Sequence, residues 1–152
     1  MKYILTLLLF VSCASNLDCQ HENISTNRND WVTAHKVFDS INRYRMSIEL
    51  KELEFDYNLA TSLSVKHSTY LAENRTLNHN GFSERFEAIL CDGAYVVGEN
   101  VAYGYTDIDK LMKAWLNSEH HKRNIEGNYN NIGVGIIKDS LGKRYYTTLF
   151  YR

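Results

Sequence analysis

Proline is absent from this 152-residue chain, cysteine occurs only three times, and charge of neither sign accumulates, 17 Lys and Arg standing against 18 Asp and Glu for a net charge of −1. Each scarcity excludes a class of protein. Without proline there is no proline-rich linker to divide the chain. The balanced charge gives no reason to expect nucleic acid or an acidic substrate. Three cysteines without zinc-type spacing exclude a cysteine-built zinc site. The longest apolar run, Ile4 to Val11 broken only by Thr6, is too short to cross a bilayer, which takes about 20 residues. What is present is one domain's worth of chain, 44% hydrophobic, enough to bury a core. Its 11 tyrosines suit half-buried helix and strand faces, ring packed and hydroxyl wet.

The N-terminus reads as an address. Lys2 and the apolar run make residues 1–12 an expected export signal. Ser12-Cys13 resembles a bacterial lipobox of the loose kind seen in spirochaetes, because Phe10 stands where Leu is usual. Cleavage after Ala14 is the alternative. With Cys13 lipidated, the membrane is the first expected partner, since each buried CH2 contributes about 0.8 kcal/mol. Residues 13–29 are polar and aperiodic, an expected tether reaching roughly 50 Å at about 3.3 Å per residue. Cys19 lies in this tether and Cys91 in the domain. Export permits a disulfide, a flexible arm gives little reason for one, and the sequence leaves their pairing open.

The folded domain, 30–152, is expected to open with Asp30 capping a helix whose apolar stripe is Ala34, Val37, Phe38, Ile41, Tyr44 and Ile48. Lys51 to Phe55 reads as a connector. Asp56 or Asn58 then caps a second helix with Leu59, Ala60, Leu63, His67, Tyr70 and Leu71 on one face. His67 there reads as a hydrogen-bonded core residue, outside the site. A short helix is expected from Ser83 through Phe86 and Leu90, then a turn at Cys91 to Ala94. Thr106 is the expected cap of a helix with Ile108, Leu111, Met112, Trp115 and Leu116 in strong helical period. Ile132, Val134 and Ile136 alternate with Gly133 and Gly135, a strand signal. After a hairpin turn, the last strand carries Tyr145, Leu149 and Tyr151 on one face and Tyr146 and Phe150 on the other. Burial on both faces places a sheet between helical layers. The expected class is α+β, a three-layer α-β-α sandwich with a small, mainly antiparallel central sheet.

Chemistry concentrates between Gly98 and Ile125. Glu99 precedes Asn100, a helix follows, and His120 and His121 stand just past its expected end. That layout predicts Glu99 and His121 close together, with His79 as a third candidate from Leu77-Asn78-His79-Asn80-Gly81. Two neutral imidazoles and a carboxylate make a plausible three-ligand Zn2+ site with an open position, although no His-Glu-x-x-His helix is present. Glu99 or a histidine as general base for water is worth about 10^2 to 10^4, but nothing in the sequence supplies a nucleophile. The plainer reading is that Glu99 accepts hydrogen bonds that tie its loop to the helix end.

These residues carry a family resemblance. Ile41-Asn42-Arg43-Tyr44-Arg45, Leu77-Asn78-His79, Gly98-Glu99-Asn100-Val101-Ala102, Ala114-Trp115-Leu116-Asn117-Ser118, His121-Lys122-Arg123-Asn124-Ile125, Ile132-Gly133-Val134-Gly135 and the aromatic last strand are similar, in order and spacing, to bacterial CAP domains (the SCP, PR-1-like superfamily). The resemblance implies a cleft to which His79, Glu99 and His121 contribute, with His120 turned to solvent. Ser118 occupies the position of the second glutamate of eukaryotic members, so one carboxylate of a two-acid mechanism is missing. The sterol-binding pattern credited to part of the family begins at Tyr103 and Tyr105 but fails at Lys110; fatty-acid binding in the family is assigned to a groove between helices. The implied protein is a monomer, lipid-anchored through acylated Cys13 in the outer membrane and exposed at the cell surface. It binds a host or envelope protein, or a small lipid or other apolar ligand, through the His/Glu cleft without catalysis. No cofactor is required, Zn2+ being the metal the ligand set would suit. A Zn-dependent hydrolase using His79, His121 and Glu99 is the alternative.

Overall fold

The computed structural model describes residues 25–152. The export signal, Cys13 and the tether up to residue 24 lie outside the described residues. The elements run α1 (Trp31–Ser47), β1 (Glu54–Phe55), α2 (Leu59–Asn74), α3 (Phe82–Cys91), β2 (Val97–Tyr103), α4 (Ile108–Leu116), α5 (Glu119–Ile125), β3 (Asn131–Lys138) and β4 (Arg144–Tyr151). The sheet has the order β1-β3-β4-β2; β3, β4 and β2 are antiparallel and β1 joins β3 in parallel. It is the α-β-α sandwich that the two-faced last strand implies.

The two faces of β4 divide the core. Tyr146 and Phe150, both fully buried, pack with Ile132, Val134 and Ile136 under α1, α4 and α5. Tyr145 and Leu149 face the layer of α2 and α3. Side chains of this size contribute about 1.5–3 kcal/mol each when removed from water. On β3 the small residues set the spacing of the layers. A Cβ on Gly133 would lie 2.2 Å from the backbone carbon of Ala60, and one on Gly135 2.2 Å from that of Ser64. The Gly-Val-Gly run is therefore a track for α2, whose Ser68 hydroxyl donates to the Gly135 carbonyl at 2.9 Å while the Thr61 hydroxyl accepts from Val134 N–H at 3.2 Å.

The helix starts show which polar residue does the capping. Asp30 accepts from Thr33 N–H at 3.2 Å, as expected. At α2 the Asp56 carboxylate accepts from Asn58 and Ala60 N–H, and the Asn58 side chain makes no cap bond. At α4 the cap is Asp107, not Thr106: its carboxylate reaches the N–H groups of Asp109 and Lys110. A carboxylate there also meets the positive end of the helix dipole. On α1 the stripe holds at Ala34, Val37 and Ile41, but Ile48 is exposed and Arg45 is buried in its stead.

Three further stretches differ from the sequence reading. Val97 to Tyr103 is an edge strand, β2, and not a loop, although Gly, Glu and Asn are poor strand formers. Seven register pairs with β4 hold it, and its open edge is covered by side chains, Asn124 donating to the Glu99 carbonyl and the Trp115 indole N–H to that of Val101. His120 and His121 lie within a separate short helix, α5, that Ser118 opens. Asn29, assigned to the tether by composition, is buried: its amide serves both Val134 C=O and Ile136 N–H, standing in for a strand beyond the end of β1.

Candidate functional site

Glu99 projects from β2 into the layer of α2 and α3, where its carboxylate is 2% exposed. Burial of a lone carboxylate is costly, and here it is offset completely. Arg85 of α3 donates from Nε to Oε2 at 2.7 Å and from Nη2 to Oε1 at 2.8 Å. His79, in the α2–α3 connection, shares a 2.7 Å hydrogen bond between Nδ1 and Oε1. Burial pushes the Glu99 carboxyl up, but the His79 and Arg85 hydrogen bonds together hold it below the usual glutamate range. An ionised Glu99 only accepts, so the His79 proton sits on Nδ1 and Nε2 is left as that ring's other nitrogen.

His67 completes the surroundings of the carboxylate. It is buried, with Nε2 4.0 Å from Glu99 Oε1. The same nitrogen lies 2.9 Å from the Asn78 carbonyl, which can only accept, so Nε2 carries the proton. Burial, followed by the Arg85 charge, pushes the His67 pKa below its ordinary value; the ring is neutral at pH 7 and the 4.0 Å approach is not an ion pair. His67 is thus the hydrogen-bonded core residue the sequence suggested, and it also lies against the site.

His121 approaches from the other layer, on α5. Its Nδ1 is 2.9 Å from the Ser118 hydroxyl, so the residue in place of a second glutamate becomes its partner. Burial first, then the neighbouring His79 and His120, lower the His121 pKa. His120 is exposed, as expected. Asn100 couples the halves: its amide donates to the His121 carbonyl at 3.1 Å and accepts from Asn124 at 2.9 Å. The end of α5 is fixed by α1, where buried Arg45 donates to the carbonyls of Ile125 and Gly127 and the Tyr44 hydroxyl to Glu126. The glycine before Glu99 has a steric cause, because a Cβ at Gly98 would stand 2.6 Å from the Tyr129 hydroxyl and 2.8 Å from Asn124 Oδ1.

The opening onto this cluster is a hollow of about 280 Å3 lined by His79, Phe82, Val97, Gly98, Glu99 and Asn124. The structure therefore joins His79 to Glu99, and it gives His121 to Ser118 and not to Glu99. Among the described residues no three His, Cys, Asp or Glu side chains are grouped to hold a metal ion. Both Glu99 oxygens are already engaged. The three residues as arranged do not fit a zinc ion. Arg85 is the residue that sequence reasoning passed over, although a signal existed: it shares a helical face with Ile89 and Phe82, and a cation on an apolar face needs a buried anion.

A sheet between two helical layers, with a Gly-Glu-Asn edge strand presenting a histidine-bonded glutamate to a hollow, defines a CAP domain. Residues 38–151 match the model of the cysteine-rich secretory protein family, CAP, and the chain belongs to that family. It is 31% identical over 123 residues to the uncharacterized membrane protein YlbC of Bacillus subtilis, covering 77% of this chain and 34% of that protein. To the uncharacterized protein YkwD of the same bacterium it is 32% identical, covering 76% and 48%. The chain thus spans between a third and a half of the length of these relatives. An uncharacterized protein of Borreliella burgdorferi is 27% identical, with 80% of this chain and 76% of that one matched. Among solved structures, an outer surface protein of Borrelia burgdorferi superposes with a TM-score of 0.72 at 22% identity, covering 84% of this chain and 98% of that one. An extracellular SCP-domain protein of Bacillus anthracis gives 0.66 at 25%, covering 80% and 40%.

Proposed function

We propose that this chain is a lipid-anchored, surface-displayed CAP domain that binds an envelope or host partner, or a small apolar ligand, at the hollow beside His79, and catalyses no reaction there. The observation that carries the reading is the engagement of both Glu99 oxygens by Arg85 and His79, through three hydrogen bonds. A general base needs a free, basic lone pair, whereas this carboxylate is paired and held at low pKa. Its role is to orient the half-exposed His79 ring in a hollow that Phe82 and Val97 also line, an apolar surface with a few polar groups, which is the make-up of a binding pocket. Surface display draws support from the name of the Borrelia structure, an outer surface protein; lipidation rests on Ser12-Cys13 alone.

The test places a photo-reactive residue at Phe82 in cells displaying the full chain. Irradiation is expected to give a discrete adduct that Val97→Trp, filling the hollow, abolishes. An adduct indifferent to Val97→Trp overturns the reading. In parallel, acyl-chain labelling is expected for the wild type and lost with Cys13→Ala. Peptide or ester cleavage that disappears with Glu99→Gln, in protein that remains folded, would establish an enzyme instead.

A further inference from the structure

We propose that the outer edge of β1 is a docking site for an extended peptide segment of a partner protein, which adds a strand beside Phe55 and seats its side chains on an adjoining row of aromatic rings. The site is remote from the hollow in its residues and independent of the reading given to it. Three observations converge. The first is the strand edge. Glu54 and Asp56 turn their N–H groups to the carbonyls of Asn130, just before β3, and Ile132 of β3, both at 2.8 Å. In a parallel ladder the residue between them faces the opposite way, so the N–H and C=O of Phe55 point off the sheet.

The second is the row itself. Trp31, at the start of α1, stacks on Tyr57 with centroids 6.1 Å apart, Tyr57 lies 4.6 Å from Phe55, and Phe55 lies 5.1 Å from both His35 and Phe38. Tyr57 is 56% exposed. Single exposed apolar side chains are ordinary, but contiguous rings at the surface mark contact sites, and Trp and Tyr are the commonest anchors of such contacts. The third is a groove of about 610 Å3 continuous with the row at Phe38. Its floor is Leu53, whose N–H and C=O are both taken by the Asn42 amide at 2.9 and 3.0 Å. Asp39, Arg43 and Met46 of α1 form one wall, Lys51, Glu52 and Glu54 the other.

The charges select the occupant. Acids and bases mix along both walls, so a polyanion such as nucleic acid or an anionic lipid surface finds no matching field. A peptide with side chains of both signs does. Main-chain bonds at Phe55 supply affinity, and the rings and groove supply alternate side-chain pockets, the pattern of strand addition.

The test pans a phage library of random dodecapeptides on the full-length protein with counter-selection on Tyr57→Ala, then measures synthetic copies of enriched peptides by isothermal titration calorimetry. Affinity is expected to fall by about tenfold or more with Tyr57→Ala or Trp31→Ala, a loss of hot-spot size. N-methylation of alternate peptide amides is expected to do the same. Should Trp31→Ala disturb folding, exposed Tyr57→Ala and the charge swap Arg43→Glu carry the test. Failure to select any peptide that separates wild type from Tyr57→Ala overturns the proposal, and so does indifference to N-methylation. Tyr57-dependent binding on an oligosaccharide array, without peptide binding, assigns the row to sugars and overturns it equally.

Discussion

Arg85 and Glu99 meet through two parallel hydrogen bonds of 2.7 and 2.8 Å, with side chains only 9% and 2% exposed. Removing one partner of such a pair strands the other charge in the interior. Arg85→Ala is expected to lower the unfolding free energy by about 3–5 kcal/mol. Arg85→Lys is expected to recover little of it, because an ammonium cannot make the fork. The double replacement Arg85→Met with Glu99→Leu is expected to regain most of the loss, since no charge is left unpaired. Urea unfolding of the four proteins checks this; an Arg85→Ala loss under about 1 kcal/mol would place the pair with surface ion pairs.

Acid stability should depend on Asp30. Burial pushes its carboxyl up, but bonds from Arg144, Thr33 N–H and Lys138 outweigh this and bring its pKa to about 2, against an ordinary 3.8. A carboxyl depressed in the fold stabilises it above the unfolded pKa, and that stability is lost as pH falls through the folded one. The window is therefore pH 4 down to 2, and the amount is about 2 kcal/mol. Asp30→Asn is expected to flatten the fall in stability across that window, measured by denaturant midpoints at successive pH values.

The nearness of the two layers' histidines can be read by NMR. The C2 proton of His121 is expected to titrate below the ordinary 6.5, and His79→Gln to move its midpoint upward by removing a neighbouring cation. An unchanged midpoint in that variant would show that the two rings do not sense each other.

Gly135→Ala puts a methyl 2.2 Å from the Ser64 backbone carbon. Because a helix backbone has no rotamer with which to retreat, a loss beyond the usual 1–3 kcal/mol of overpacking is expected, seen as a lower thermal midpoint. Gly142→Ala, with no atom within 4 Å of the added carbon but a φ of +75°, is expected to cost only about 1 kcal/mol, from backbone conformation.

Cys91, at the end of α3, is disulfide-bonded, and Cys13 and Cys19 lie outside the described residues. The thiol of Cys91 is expected to resist iodoacetamide in denatured, unreduced protein and to be alkylated after reduction, as read by peptide mass spectrometry.

Much of the site was legible only in pieces. His79, Glu99 and His121 stand in motifs dense enough to be singled out, and His67 is recognisable as core from its helical face. Their pairing was not legible. A helix set between Glu99 and the two histidines suggested His121 as its neighbour, yet β2 turns the Glu99 side chain into the α2–α3 layer while α5 holds His121 in the other. Alternation along a strand decides such a matter, and β2 was not recognisable as one, since Gly98, Glu99 and Asn100 are poor strand formers whose ladder partners lie some fifty residues away on β4.

The sequence by itself determined the layers of this protein. Helical and alternating apolar periods, the two apolar faces of β4 and the alternation of Ile132, Val134 and Ile136 with glycine are local patterns, and hydrophobic burial stacks them into layers. Tertiary structure alone decided which polar groups meet. A buried hydrogen bond or ion pair depends on distances of a few tenths of an ångström, so the spacing that sets Arg85 on an apolar helical face does not name Glu99 as its partner, and nothing in spacing brings Asn29 to β3.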